Sequence, residues 1–298
     1  MVTLAHLSDP HLGLMPRLRI REFASKRMIG YVNWRRSRMH SLAGPILDGL
    51  LADCAAQRPD HTAITGDLVN LGLDGELAAA RDWLETVGSP HDVSVVPGNH
   101  DAYVPGALAK ALALWSPYLT GDAGISHGAQ RFPYLRRRGK MALIGLSTAR
   151  ASAPFMATGH IASAALPSLR DLLLRTRQDG LFRVILIHHP PTPKATQWHK
   201  RLVGADRVRA VIREAGAELV LHGHTHRDSL VEIEGADGKV PVIGVPSASQ
   251  APGGSRPAAR YNLFRIEGEA GAWRCHMSER GFLTPGAPIS LLRERQLR

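Results

Sequence analysis

Short apolar runs rich in β-branched residues recur along the chain. Each is followed by a polar cluster of Gly, Asp, His or Asn and then by a helix-like stretch. The runs occupy residues 2–7, 61–65, 93–96, 141–146, 184–187 and 218–221. They are continuous rather than alternating in apolar character, the pattern of strands buried on both faces. The spacing between them predicts helices over 44–57, 74–87, 107–118, 163–177 and 206–215. Strand–helix alternation of this kind specifies an α/β architecture with layered sheets. Residues 239–245, 261–266 and 272–277 read as later antiparallel strands, with 268–271 as a hairpin turn. The Pro-, Gly- and Ser-rich stretch 246–257 reads as a loop. The pattern gives a single domain over 1–280, a cap insertion at about 14–40, and a C-terminal tail over 281–298.

Composition narrows this picture. A chain of 298 residues buries about three quarters of its unfolded surface and needs no covalent staple. The only cysteines are Cys54 and Cys275, far apart and outside any CxxC pattern. That excludes a disulfide framework and a thiolate zinc site. The start of the chain lacks a basic segment followed by a long apolar one. No stretch approaches the ~18 apolar residues of a membrane span. The expectation is a cytoplasmic protein, peripheral to a membrane at most.

The formal net charge is +11, with 37 Lys and Arg against 26 Asp and Glu. This surplus favours anionic partners. It is concentrated in 14–40, where Arg17, Arg19, Arg21, Lys26, Arg27, Arg35, Arg36 and Arg38 face one acid, Glu22. Ile20, Phe23, Met28, Ile29, Tyr31, Val32 and Trp34 are interleaved with them. Two readings stand: a helical flap packed by its apolar side on the domain, or a basic, aromatic-bearing surface for lipid phosphates or nucleic acid.

The 15 histidines say more than the charge. The first strand leads into Asp9-Pro-His11, the second into Gly66-Asp67-Leu-Val-Asn70, and the third into Gly98-Asn99-His100-Asp101. The run 184–187 leads into His188-His189-Pro-Pro, and 218–221 into His222-Gly223-His224-Thr-His226. Loops at the carboxyl ends of strands converge in α/β sheets, so the five clusters would meet. Imidazole with carboxylate suits Mn, Fe, Zn or Co. One carboxylate can bridge two cations. Two metals roughly 3.5–4 Å apart polarise a phosphoryl group and generate hydroxide for in-line attack. Gly66, Gly98 and Gly223 would allow the backbone to approach closely beside each ligand. Histidines 6, 61, 91, 127, 199 and 222 read as core or surface residues, although His199 lies in a candidate active-site loop, and the tryptophans at 83, 115 and 273 read as core.

The ordered set D-x-H, GD-x-x-N, GNHD, H-x-P and GH-x-H, spanning Asp9 to His226, resembles the calcineurin-like metallophosphoesterase superfamily. The resemblance implies a four-layer α-β-β-α sandwich, two mixed sheets flanked by helices, around two divalent metal ions. It implies that Asp9, His11 and His226 hold the first metal, Asp67 bridges both, and Asn99, His188 and His224 hold the second. His189 stands as the alternative to His188. His100 would assist the leaving oxygen and Asp101 would orient its imidazole. Such an enzyme hydrolyses a phosphodiester by attack of a metal-bridging hydroxide. Within the superfamily the chain is most similar to the bacterial class III cyclic nucleotide phosphodiesterase branch, implying a cyclic nucleotide, glycerophosphodiester or similar small diester. Two alternatives rest on the basic insertion: a lipid-linked pyrophosphate or phospholipid hydrolase at a membrane surface, and a DNA or RNA nuclease. Leu71 stands where phosphoprotein phosphatases usually carry arginine.

Overall fold

The computed structural model describes residues 1–13, 26–34, 44–122 and 131–298. Most of the insertion therefore lies outside the described residues, as do Arg17, Arg19, Arg21, Arg35, Arg36, Arg38 and His127. The first half of the chain forms β1 (Val2–Leu7), α1 (Lys26–Asn33), α2 (Gly44–Ala56), β2 (His61–Ile64), α3 (Asp74–Val87), β3 (Val93–Val95), α4 (Ala107–Leu114), β4 (Tyr134–Arg138) and β5 (Met141–Leu146). The second half forms β6 (Gly159–His160), α5 (Ala165–Gln178), β7 (Phe182–Ile187), β8 (Leu202–Val203), α6 (Ala205–Ala215), β9 (Leu219–His222), β10 (Ser229–Gly235), β11 (Gly238–Gly244), β12 (Arg260–Glu267), β13 (Arg274–Phe282) and β14 (Ile289–Gln296).

Two six-stranded mixed sheets result. One has the order β14-β13-β12-β1-β2-β3 and the other β10-β11-β9-β7-β5-β4. The continuous apolar runs are explained by burial on both faces. On β7, Phe182, Val184 and Leu186 enter the core between the sheets, while Ile185 and Ile187 enter the core under α5 and α6. On β1, Leu4 faces the inter-sheet core, and Ala5 and Leu7 face the layer holding Leu47, Leu50, Leu77, Leu84 and Trp115. This is the four-layer α-β-β-α sandwich. The predicted helix over 107–118 stops at Leu114 and continues as a 3-10 turn, Ser116–Tyr118. Pro117 explains this, since its ring cannot continue the helical hydrogen bonding.

The segment 281–298 is not a tail. β14 pairs antiparallel with β13 from His276↔Gln296 to Phe282↔Ile289 and closes one edge of the first sheet. Its mostly exposed, charge-rich pattern is that of a guarded edge strand. β4 escapes sequence reasoning for a different reason: it contains three consecutive arginines, yet Arg136 and Arg138 are buried. The Arg136 guanidinium donates to the carbonyls of Pro90, Val93, Pro117 and Thr120, which satisfies the charge inside. Cys54 and Cys275 are buried free thiols. Among the described residues, no helix is long and apolar enough to cross a membrane.

Candidate metal centre

Loops at the carboxyl ends of five strands carry the predicted residues. Asp9 and His11 follow β1, Asp67 follows β2, Asn99 and His100 follow β3, His188 follows β7, and His224 and His226 follow β9. β1, β2 and β3 run parallel to one another, as do β7 and β9.

The loops meet around Asp67. On one side His11 Nε2 lies 3.2 Å from His226 Nε2 and 3.9 Å from both Asp9 Oδ1 and Asp67 Oδ2. His226 Nε2 stands 3.1 Å from Asp9 Oδ1. On the other side His188 Nε2 is 3.4 Å from Asp67 Oδ2 and 3.2 Å from Asn99 Oδ1. Asp9, His11, Asp67 and His226 offer ligand atoms within 4.8 Å of one another, and so do His188, His189 and His224.

Backbone shape makes this convergence possible. Asp9, His11, Asp67, His224 and His226 all adopt positive φ, between 40° and 67°. Non-glycine residues enter that region at a cost, and such strain clusters at functional sites. Close approach needs glycine: a Cβ on Gly98 would sit 2.2 Å from Asp67 Oδ1, and one on Gly223 would sit 1.9 Å from Ser8 Oγ.

Carbonyl partners assign the imidazole hydrogens, because a carbonyl can only accept. Nδ1 of His188 donates to Thr65 O (2.6 Å), and Nδ1 of His11 donates to Val69 O (3.1 Å). Both rings thereby turn an Nε2 lone pair toward the carboxylates. Nε2 of His224 donates to Lys200 O (2.9 Å), leaving Nδ1 as its ligand atom. His189 is different, although it lies in the same cluster. Its Nε2 donates to Ala157 O (3.2 Å) and its Nδ1 accepts from the Thr148 hydroxyl (2.8 Å), so both nitrogens are engaged.

Asp101 does not touch the His100 imidazole as an orienting partner would. Its carboxylate accepts the backbone N–H groups of Asp67, Leu68, Val69 and Gly98. It fastens the β2 and β3 loops together. Burial and the neighbouring Asp67 charge push its carboxyl up to about 7. The His100 ring is held instead by Nδ1, which donates to Asn70 O at 2.5 Å. Asn70 also donates to Leu12 O at 3.0 Å, so it links the first two loops as well as holding the ring.

The electrostatics suit cations. Burial works to raise the Asp67 carboxyl, but the charges of His188 and His100 outweigh it and hold it well below the usual range. Burial likewise opposes ionisation of Asp9, and His226 and His188 keep its carboxyl low. Burial and His188 push His224 down to about 3, so it is a neutral imidazole at pH 7. His188 is opposed by burial yet raised to about 9 by Asp67. Two ionised carboxylates are thus buried among imidazoles. Asp9 Oδ1 is buried without a formed hydrogen bond. Buried charge of this kind calls for a counter-cation, and the donor set fits a pair of divalent ions.

Two cavities adjoin across the centre. One, of about 320 Å³, runs from Asn99 and His100 to Trp34, Tyr103 and Phe155. The other, of about 410 Å³, runs from Asp67 and His224 to Gln197 and Arg227. Lys200 and Arg256 border both. Neither residue stands out in the sequence, since a lone base in a loop carries no pattern. Of the other histidines, His6, His61 and His222 are buried, His91 is exposed, and His199 lines the first cavity.

The family model for calcineurin-like phosphoesterases matches residues 2–228. No curated protein matches the sequence. Among solved structures, a dimetal phosphatase from Danio rerio superposes with a TM-score of 0.60 at 13% identity, covering 99% of this chain and 98% of that one. The purple acid phosphatase PPD1 of yellow lupin (Lupinus luteus) gives 0.59 at 10% identity, over 99% of this chain and 53% of that one. The NAD nucleotidase of Haemophilus influenzae gives 0.50 at 12% identity, over 98% and 49%. At these identities the likeness is one of fold.

Proposed function

The chain belongs to the calcineurin-like phosphoesterase family of dimetal phosphoester hydrolases, and from that premise we propose that it cleaves a phosphodiester. The observation that carries this reading is the pair of cavities meeting beside His100, Asn99, Lys200 and Arg256. A phosphorus atom at that junction has room for one substituent on each side. A monoester would leave one arm empty.

In this reading Asp9, His11, Asp67 and His226 hold one metal, and Asp67, Asn99, His188 and His224 hold the other. When bound, the two divalent ions supply Lewis acidity toward the phosphoryl oxygens and an activated water. The remaining work belongs to the chain. Thr65 O and Val69 O fix the His188 and His11 rings. Arg256, which now donates to His226 Nδ1 at 3.1 Å, borders both arms, where its guanidinium neutralises a non-bridging oxygen. His100 is anchored through Nδ1 and presents Nε2 to the cleft, 4.0 Å from Asp67 Oδ2. Protonated there, it gives that proton to the departing oxygen. The resemblance of the sequence motifs to those of cyclic nucleotide phosphodiesterases supports the small-diester reading.

With Mn2+ added, bis(p-nitrophenyl) phosphate is expected to be hydrolysed with a higher kcat/KM than p-nitrophenyl phosphate, and excess chelator to abolish both activities. A preference for the monoester would overturn the diester reading. No metal-dependent turnover of either ester would overturn the phosphoester hydrolase reading.

A further inference from the structure

The first cavity differs in character from the second. Beyond Asn99 and His100 its walls are Trp34, Tyr103, Phe155 and Met156, together with Lys26. These residues come from separate parts of the chain: α1 and the residue after it, the segment following β3, and the segment following β5.

α1 is docked by specific contacts, although it lies in the insertion. Lys26 Nζ donates to Ser152 Oγ (3.0 Å), Ser152 O (3.2 Å) and Met156 O (2.8 Å). It also lies 4.8 Å from the centroid of the Tyr103 ring. The Arg27 guanidinium donates to the carbonyls of Leu71 and Gly72. Gly30 lets the helix come close, since a Cβ there would stand 2.2 Å from Tyr103 Oη and 2.5 Å from Leu71 Cδ2. Two of the insertion's bases therefore point into the protein as clasps. The helix forms one wall of the arm and the Ser152–Met156 segment forms another.

Two ring pairs and an exposed ring line the arm. Tyr103 stacks beside His100, with centroids 5.4 Å apart and planes inclined by 26°. Tyr31 backs Trp34 at 6.3 Å and 21°. Phe155 holds a positive φ of 63° and stands 78% exposed at the rim. A bulky residue in that conformation is strained. The indole N–H of Trp34 is buried and has no acceptor among the described residues. A buried donor without a partner is expensive, and the arm beside it is open to a ligand.

We propose that this arm is a recognition subsite for an aromatic ring carried by the phosphoester, with Trp34 Nε1–H donating to a hydrogen-bond acceptor on that ring. The substrate class is a heteroaryl-bearing phosphodiester, with its phosphorus at the metal centre and its ring between Trp34, Tyr103 and Phe155. The subsite rests on the diester reading above, because that reading places the phosphorus at the mouth of the arm.

Calorimetric titration of the Mn-loaded full chain separates the two claims, because it needs no turnover. Uridine 5′-monophosphate and ribose 5-phosphate differ only by the ring. The ring is expected to tighten binding about tenfold, the scale of one base stacked on aromatic side chains. The ratio of the two dissociation constants should fall to within about twofold of unity in Phe155→Ala, in Trp34→Ala and in Gly30→Leu, which pushes α1 away. Trp34→Phe should keep the preference of phenylphosphonate over hexylphosphonate while losing several-fold of the uridine preference. Equal affinity for the two monophosphates in the wild type would overturn the proposal. So would a hexyl chain binding as tightly as a phenyl ring, or a ratio untouched by the Phe155 and Trp34 changes. Failure of diester hydrolysis with the ring preference intact would sink the diester reading and the diester substrate class with it, leaving only a ring-binding arm beside the metal centre.

Discussion

At the scale of single residues, the centre divides labour within four of its imidazoles. One nitrogen is tied to a backbone carbonyl and the other is turned to the chemistry. His11, His188 and His224 follow this rule toward the metal positions, and His100 follows it toward the cleft. His189 breaks it by spending both nitrogens. The rule predicts how His100 fails. His100→Gln should lower kcat by about 10²–10⁴-fold, the usual worth of a positioned proton donor, while metal content stays at two ions by elemental analysis. Near-normal turnover in a fully loaded variant would remove the proton-donor role. The convergence of the candidate ligand residues was legible because each cluster follows a strand and the residue types recur in a fixed order. The positive φ values at Asp9, His11, Asp67, His224 and His226 were not, because side-chain type does not encode that strain. Asp101 was misread for a related reason. The resemblance implies a partner for the ring, whereas the turn aims its carboxylate back at four backbone N–H groups.

At the scale of elements, strand edges and loops separate what pattern can show from what it cannot. Strands buried on both faces, such as β1, β5 and β7, announce themselves as apolar runs. β4 does not, because its arginines are satisfied by carbonyls from distant loops. β14 does not, because an edge strand carries the charges of a tail. Its contribution can be measured. Removing residues 286–298 uncovers β13 and strips the Glu279 carboxylate of its neighbours Arg293 and Arg295. The truncated chain should unfold at lower denaturant concentration and show concentration-dependent association, since the new edge is unguarded. An unchanged midpoint would show that β14 adds no stability. Loop residues such as Lys200 and Arg256 lie beyond pattern altogether, because a cleft is defined by what several loops do jointly.

For the whole molecule, several histidines titrate with folding. Burial pushes His6 down to about 3, and burial with Arg138 and Arg136 nearby does the same to His61. Both are neutral inside, and both gain a proton near pH 6.5 once unfolded. Their stabilising effect is therefore complete above about pH 6.5 and is lost as pH falls from there toward 3. The unfolding free energy should decline by up to about 1.4 kcal/mol per pH unit for each histidine in that window. Denaturant titrations between pH 4.5 and 7.5 would show the slope, and His61→Gln should make it shallower. A flat profile would mean that these rings are already protonated in the folded state. The net charge of +11 sharpens the decline at low pH by adding self-repulsion.

β1 lies inside the first sheet, hydrogen-bonded to β2 on one side and to β12 on the other. On the ribosome, β1 once made must wait for Arg260–Glu267 before its second edge is covered. At typical elongation rates that delay is roughly 10–50 s. During it the apolar β1 edge and the loop bearing Asp9 and His11 are exposed in a nascent chain. The protein's exposure to aggregation is thus set by translation speed over the whole stretch between β1 and β12, and slow codons anywhere between residues 8 and 260 would lengthen the hazard where synonymous changes beyond residue 267 would not.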